Sequence, residues 1–286
     1  MRFLLVLLAT AVMFAQPLAA AEQMDTLEQV KKSGKVRIGF RQAQPPMSFL
    51  DKDGKPAGYS VDLCVRIVNE VKNTLGRDDI AIEYVPVSST NRFEALSNNT
   101  IDILCGATTK TIARGKLVDF TQLTFVTGAS LLSLKDTAVE GISGLQGKKV
   151  AVSKGTTTID ALTEKLKESV SDAKVVPVES AEAGMQALIS GEVDAFSADQ
   201  VVLIGLVLTH EGDQQFAIAS DIFSYEPFAL AVRRNDSDFR LLADTVLAQL
   251  NRSGQITPIY SKWFGKFTKK VPPLLQAMYV LNSTPE

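Results

Sequence analysis

Short strands alternate with amphipathic helices along this chain, and the rhythm runs twice. Lys35–Phe40 alternates polar and apolar residues with β-branched members and reads as a strand. Val61, Cys64, Val65 and Val68, with Ile67 and Val71 beside them, recur at helical spacing, which predicts a helix over 60–74. Residues 80–85 form the next strand, Ser89 is placed to cap a helix through Ala95 and Leu96, and 101–105 is a third strand. The crossovers are long enough for parallel pairing, so this is a βαβαβ unit. After an apolar stretch over 125–134 the pattern restarts. Strand 149–152, a helix opened by Gly155-Thr156-Thr157, strand 175–178, helix 181–189 and strand 193–196 follow in order. Two α/β lobes are expected.

The C-terminal part adds a strand at 227–232, a helix over 237–251 and a segment containing Trp263. No Pro-, Gly- or Ser-rich linker separates these from the second lobe, so the chain is expected to cross between lobes twice. It leaves near 126–128 and returns near 224–227. Lobe one then comprises 22–126 and 227–286, and lobe two comprises 127–226. A cleft between lobes joined by two strands is a hinged binding site.

Composition narrows what such a cleft can do. Thirty basic residues are scattered among 32 acidic ones for a net charge of -2, so no footprint for nucleic acid exists. One histidine (His210) and two cysteines (Cys64, Cys105) cannot supply a zinc site of three or four His/Cys ligands. No metal and no cofactor are expected. Gly144-Leu-Gln-Gly147-Lys148 lacks the spacing and hydroxyl of a phosphate-binding loop, and no Gly-x-Ser-x-Gly elbow occurs. Chemistry falls to carboxylates, arginines and hydroxyls.

The N-terminus carries Arg2, an apolar run over 3–15 and Ala19-Ala20-Ala21, in the order of a secretory signal cut after Ala21. No cysteine follows the run, so no lipid anchor is expected. Elsewhere the longest apolar stretch, 201–208, falls far short of the roughly 20 residues of a membrane helix. The mature chain is expected to be exported and soluble.

Four short motifs resemble one family. Gly58-Tyr59-Ser60-Val61-Asp62-Leu63, Thr108-Thr109-Lys110-Thr111-Ile112-Ala113-Arg114, Val118-Asp119-Phe120 and Lys154-Gly155-Thr156-Thr157 look like the periplasmic amino-acid-binding proteins of ABC transporters. Gly39-Phe40-Arg41, Ser89-Thr90-Asn91-Arg92 and Cys105-Gly106 place the resemblance nearest the glutamate/aspartate-binding branch. It implies a periplasmic-binding-protein-like α/β fold, a periplasmic location, a membrane permease as partner, and a monomer. It also implies roles by position. Arg114 holds the α-carboxylate through two parallel donors, Thr109 and Thr157 add donors, and Asp199 faces the α-ammonium. The amides at Gly155-Thr156-Thr157 can also face an anion. Arg41, Ser89 and Arg92 fall where the acidic-substrate branch holds the side-chain carboxylate. Three arginines against Asp199 leave about +2, which a dicarboxylic amino acid of charge -1 largely offsets. Ala181 and Ala107 depart from members that carry histidine and serine there, which leaves the glutamate-aspartate order open.

Blander readings stand beside these. A lone arginine is most often a solvated surface residue. Asp199 can cap the helix that follows it, Asp62 is structural, His210 is a surface residue, and Trp263 is core packing. Cys64 and Cys105 lie in one lobe, and either a disulfide or two buried thiols is consistent with the sequence. The alternative function is an enzyme of the same fold, of the periplasmic cyclohexadienyl dehydratase kind, whose carboxylate substrates arginines would also hold. A receptor-like module presenting an amino acid to a signalling partner would share the pocket.

Overall fold

The structure is a computed structural model that describes residues 25–210, 215–268 and 270–285. The expected export signal at 1–21 lies outside the described residues. In chain order the elements are α1 (Thr26–Ser33), β1 (Lys35–Phe40), β2 (Ala43–Gln44), β3 (Ser48–Leu50), β4 (Pro56–Ala57), α2 (Tyr59–Leu75), β5 (Ala81–Pro86), α3 (Arg92–Ser97), β6 (Ile103–Cys105) and β7 (Asp119–Thr127). Then come β8 (Ala129–Leu134), β9 (Lys149–Ser153), α4 (Thr157–Glu168), β10 (Lys174–Val178), α5 (Ala181–Ile189), β11 (Ala195–Asp199), α6 (Gln200–Thr209) and β12 (Phe216–Ile218). The chain ends with β13 (Glu226–Val232), α7 (Ser237–Arg252), α8 (Ile256–Phe264) and α9 (Pro273–Leu281). None of these helices is long and apolar enough to cross a membrane.

Two five-stranded sheets carry the fold. The first runs β5-β1-β6-β13-β7 and the second β10-β9-β11-β8-β12. In each, the strands read from the βαβ rhythm pair in parallel: Lys35 faces Ala81 and Ile38 faces Ile103 in one, Val150 faces Val175 and Ala195 in the other. β13 returns from beyond the second sheet to pair antiparallel with β7 and β6 of the first. The two crossings lie side by side. A Cβ on Gly128 would stand 2.3 Å from the Ser224 carbonyl oxygen, and the Ala129 amide donates to Ser224 Oγ at 3.0 Å.

Helix α2 shows why the pattern folds this way. Leu63, Ile67, Val68 and Val71 fall on one face and are fully buried against β1, β6 and α7, each worth about 1.5–3 kcal/mol on burial. Cys64 on the same face forms a disulfide with Cys105 of β6, their Cα atoms 6.4 Å apart. The bond links positions 41 residues apart and so stabilises lobe one by about 4 kcal/mol through the unfolded chain. Asp62, on the outer face, accepts from Lys262 Nζ and Trp263 Nε1, both at 2.7 Å, and ties α8 to α2. Trp263 is therefore half-buried, edge-on to Phe49, because its indole N–H needs an acceptor that the core does not offer.

Three expectations change. Ser89 does not cap α3: the helix starts at Arg92 after Asn91, and Ser89 Oγ has no hydrogen-bond partner. Helix α1 and the small β2-β3-β4 sheet are additions, the sheet strands being two or three residues long and too short for any periodicity. His210 ends α6 with its ring edge-on to Phe216, 6.3 Å away, and is only partly exposed.

Candidate functional site

Parallel strands of an α/β sheet present their carboxyl ends to a common crevice, and the chain following each end is free to carry side chains into it. Here Arg41 follows β1, Ser89 follows β5, and Thr109 and Arg114 follow β6. From the other sheet, Gly155 to Thr157 follow β9 and Asp199 closes β11. The two sets of loops meet. Arg92 Nη2 and Arg114 Nη2, from lobe one, both donate to the Gly155 carbonyl of lobe two, at 3.1 and 3.4 Å. A Cβ on Gly155, whose φ is +68°, would lie 2.9 Å from Ser89 O. A Cβ on Gly205 of α6 would lie 2.1 Å from Pro45 O. The lobes are closed on each other.

The three arginines converge between them. Arg41 and Arg92 are buried and Arg114 is half-buried. Burial, with the like charges of Arg114 and Arg41, pushes the Arg92 guanidinium down to about 8, against the pull of Asp199. Burial alone pushes Arg41 down to about 10. Arg114 is also lowered by burial, against the attraction of Glu226, Asp199 and Asp160. A guanidinium does not give up its proton, so this pressure is unmet positive charge awaiting an anion. Among the described residues no carboxylate pairs directly with Arg41, Arg92 or Arg114. Arg92 also bonds the Ser89 carbonyl, Arg114 Nη1 donates to Thr109 O at 2.9 Å, and the Phe93 ring lies 4.5 Å from the Arg92 guanidinium carbon and 5.4 Å from that of Arg114.

Orphaned polar atoms surround these charges. Ser89 Oγ, Arg92 Nε, Thr108 Oγ1, Gln44 Oε1 and Asp199 Oδ1 are buried with no partner. A buried polar atom without a hydrogen bond costs about 1–3 kcal/mol, so such a cluster is built for something that supplies the missing bonds. Asp199 precedes α6 but its side chain makes no cap bond. Burial and the charge of Glu226 push it up to about 7, while Arg114 and Arg92 pull it down. A cleft of about 380 Å³ leads to Arg41, with Ser88 and Asn91 on one wall and Glu179, Ser180 and Ala181 on the other.

Thr156 Oγ1 donates to Ser153 O at 2.7 Å, so its hydroxyl is already used and only the backbone at the start of α4 remains for a ligand. Glu226, absent from the sequence reading, is buried at the head of β13 and accepts from Thr109 Oγ1 at 2.5 Å, Thr157 Oγ1 at 2.7 Å and Ser224 Oγ at 2.7 Å. Two corrections follow. The hydroxyl protons of Thr109 and Thr157 go to Glu226 and not to a ligand carboxylate. The formal charge of the group is three arginines less two carboxylates, +1 and not +2. Gln44 and Phe93 were also missed. The available signals were a carboxylate inside the return crossing and an aromatic ring next to Arg92.

Residues 36–266 match the bacterial extracellular solute-binding proteins, family 3. The chain belongs to that family. This solute-binding protein is 32% identical over 271 residues to the L-glutamate/L-aspartate-binding protein of Pseudomonas aeruginosa, covering 93% of this chain and 89% of the relative. It is 30% identical to the glutamate/aspartate import solute-binding protein of Escherichia coli, covering 89% and 83%. Among solved structures it resembles an ancestral arginine-binding protein bound to arginine, with TM-score 0.73, 29% identity and 81% and 99% of the two chains covered. It also resembles an ancestral amino-acid-binding protein described as a precursor of cyclohexadienyl dehydratase, with TM-score 0.72, 29% identity and 84% and 99% covered. The fold is therefore that of the periplasmic binding proteins, and its curated relatives are transport proteins.

Proposed function

We propose that the protein captures glutamate or aspartate in the periplasm by closing its two lobes, 22–126 with 227–286 and 127–226, and delivers it as a monomer to the membrane permease of an ABC importer. The mature chain begins after the signal read at 1–21. The observation that carries this reading is the convergence of buried Arg41 and Arg92 with half-buried Arg114, all without direct carboxylate partners among the described residues, in a group of formal charge +1. A zwitterion with one extra carboxylate brings -1 and closes the balance. A neutral amino acid leaves one charge uncompensated, at a cost on the order of 3–5 kcal/mol. Fold alone does not choose between ligands, since the similar structures include one with bound arginine and one with bound glutamine.

Roles follow from position. Arg114 takes the α-carboxylate together with the amides opening α4, and Arg41, Ser89 and Arg92 take the side-chain carboxylate. Asp199, with Thr109 and Thr157, takes the α-ammonium. Closure excludes water and strengthens each charged contact, and the ligand shifts the open-closed balance by its preference for the closed form. Titration calorimetry of the ligand-stripped protein against a panel of amino acids and dicarboxylates tests this. Glutamate and aspartate bind most tightly, Arg114→Ala abolishes binding of every amino acid, and the ligand is recovered unchanged. A panel led by neutral or basic amino acids refutes the reading. Nothing at the site favours the dehydratase alternative.

A further inference from the structure

We propose that Glu226 is a positioning residue that fixes the Thr109 and Thr157 hydroxyls as acceptors, so that with Asp199 they form a subsite for the ligand's α-ammonium and reject acids that lack one. The inference rests on the amino-acid reading above and gives that site its discrimination between amino acids and plain dicarboxylates.

A hydroxyl carries one proton and two lone pairs, whereas an ionised carboxylate only accepts. Glu226 Oε2 takes the proton of Thr109 at 2.5 Å and that of Thr157 at 2.7 Å, while Oε1 takes that of Ser224 at 2.7 Å. The Thr109 and Thr157 oxygens then stand 3.3 Å apart with no proton left between them. What they offer the cleft is lone pairs, which welcome an N–H donor and repel an anion. Asp199 Oδ1, buried and without a partner, adds a third acceptor. Burial first, and the charge of Glu226 second, push it up to about 7, so two acidic groups share a dry site that favours a cation.

Placement makes the device specific to the closed state. Thr109 belongs to lobe one, Thr157 opens α4 in lobe two, and Glu226 lies on the return crossing opposite Thr127 of the outgoing one. One carboxylate at the hinge thus reaches a hydroxyl from each lobe, and the acceptor pair exists only when the lobes meet. Replacing Glu226 by glutamine puts an amide N–H₂ within reach of the same hydroxyls. They can then turn their protons toward the ligand, and the group gains one positive charge.

The test compares L-glutamate with glutarate, the same diacid without the amino group, by calorimetry on the ligand-stripped protein and on Glu226→Gln. Glutamate binding weakens by about thirtyfold or more in the variant, as for truncation within a buried charge array, while glutarate binding holds or tightens. The glutamate preference shrinks accordingly. Equal weakening of both ligands, the mark of a merely structural staple, overturns the proposal, as does unchanged glutamate binding. If Glu226→Gln shows no cooperative melt, Thr109→Val and Thr157→Val carry the same comparison with Glu226 in place, and each must lower the glutamate-to-glutarate ratio. Should the wild-type panel favour another amino acid, that amino acid and its des-amino acid replace the pair. This separates a wrong ligand from a wrong role for Glu226.

Discussion

Removing a single guanidinium from the side-chain end of the cleft should invert the order of glutamate and glutamine. Arg41→Met is the suitable change. Arg92 and Arg114 bond to Gly155 across the lobes, so truncating either also disturbs closure, whereas Arg41 makes no side-chain ion pair among the described residues and methionine fills much the same space. In the wild type the group at +1 is brought to zero by glutamate and left at +1 by glutamine. In the variant the group itself is neutral, so glutamate leaves -1 and glutamine leaves zero. An uncompensated buried charge costs on the order of 3–5 kcal/mol. Taking a partner from a buried charged contact costs about 2–5 kcal/mol, so glutamate affinity should fall by roughly 30-fold to several thousand-fold. Glutamine affinity should change by less than about tenfold, because its amide loses one neutral contact worth about 0.5–1.5 kcal/mol. Calorimetric titration of both proteins with both ligands at low ionic strength gives the four constants. Equal losses for glutamate and glutamine would show that Arg41 packs the lobe without reading the ligand, and the charge argument would fail.

Two further outcomes probe closure and the second carboxylate. Gly155→Ala places a Cβ against Ser89 O only when the lobes meet, so overpacking of about 1–3 kcal/mol should weaken every ligand by roughly 5- to 150-fold. Small-angle scattering should show the variant remaining open at ligand concentrations that close the wild type. Asp199 has its pKa raised from 3.8 to about 7 in the closed, ligand-free fold, so the folded chain holds more protons than the unfolded chain across that window. Ligand-free stability therefore falls as pH climbs from about 4 to 7, and thermal melts across this range should show a slope that Asp199→Asn removes.

Periodicity made most of the fold legible. The alternation in β1, the helical spacing of Leu63, Ile67 and Val71 in α2, and the boundaries of α5 are local properties, because a strand or an amphipathic helix exposes its burial pattern along a few consecutive residues. The two crossings could be placed because strand 227–232 follows the second lobe without a linker. The convergence of Arg41, Arg92 and Arg114 was implied by resemblance to the family's motifs, since residues 41, 92 and 114 share no element and no spacing. What the sequence could not give is the direction of each hydrogen bond. Ser89 looks like a helix cap until α3 is seen to begin at Arg92 and leave its hydroxyl unbonded.

The sequence by itself determined the two-lobed α/β class, the double crossing and the residue types available for binding, because those depend on local pattern and composition. Only the tertiary structure decided the charge of the site, the pairing of Cys64 with Cys105 and which way the Thr109 and Thr157 hydroxyls point. Glu226 lies 117 residues from Thr109 and 69 from Thr157, and a hydroxyl takes its polarity from whichever partner the folded chain brings to it.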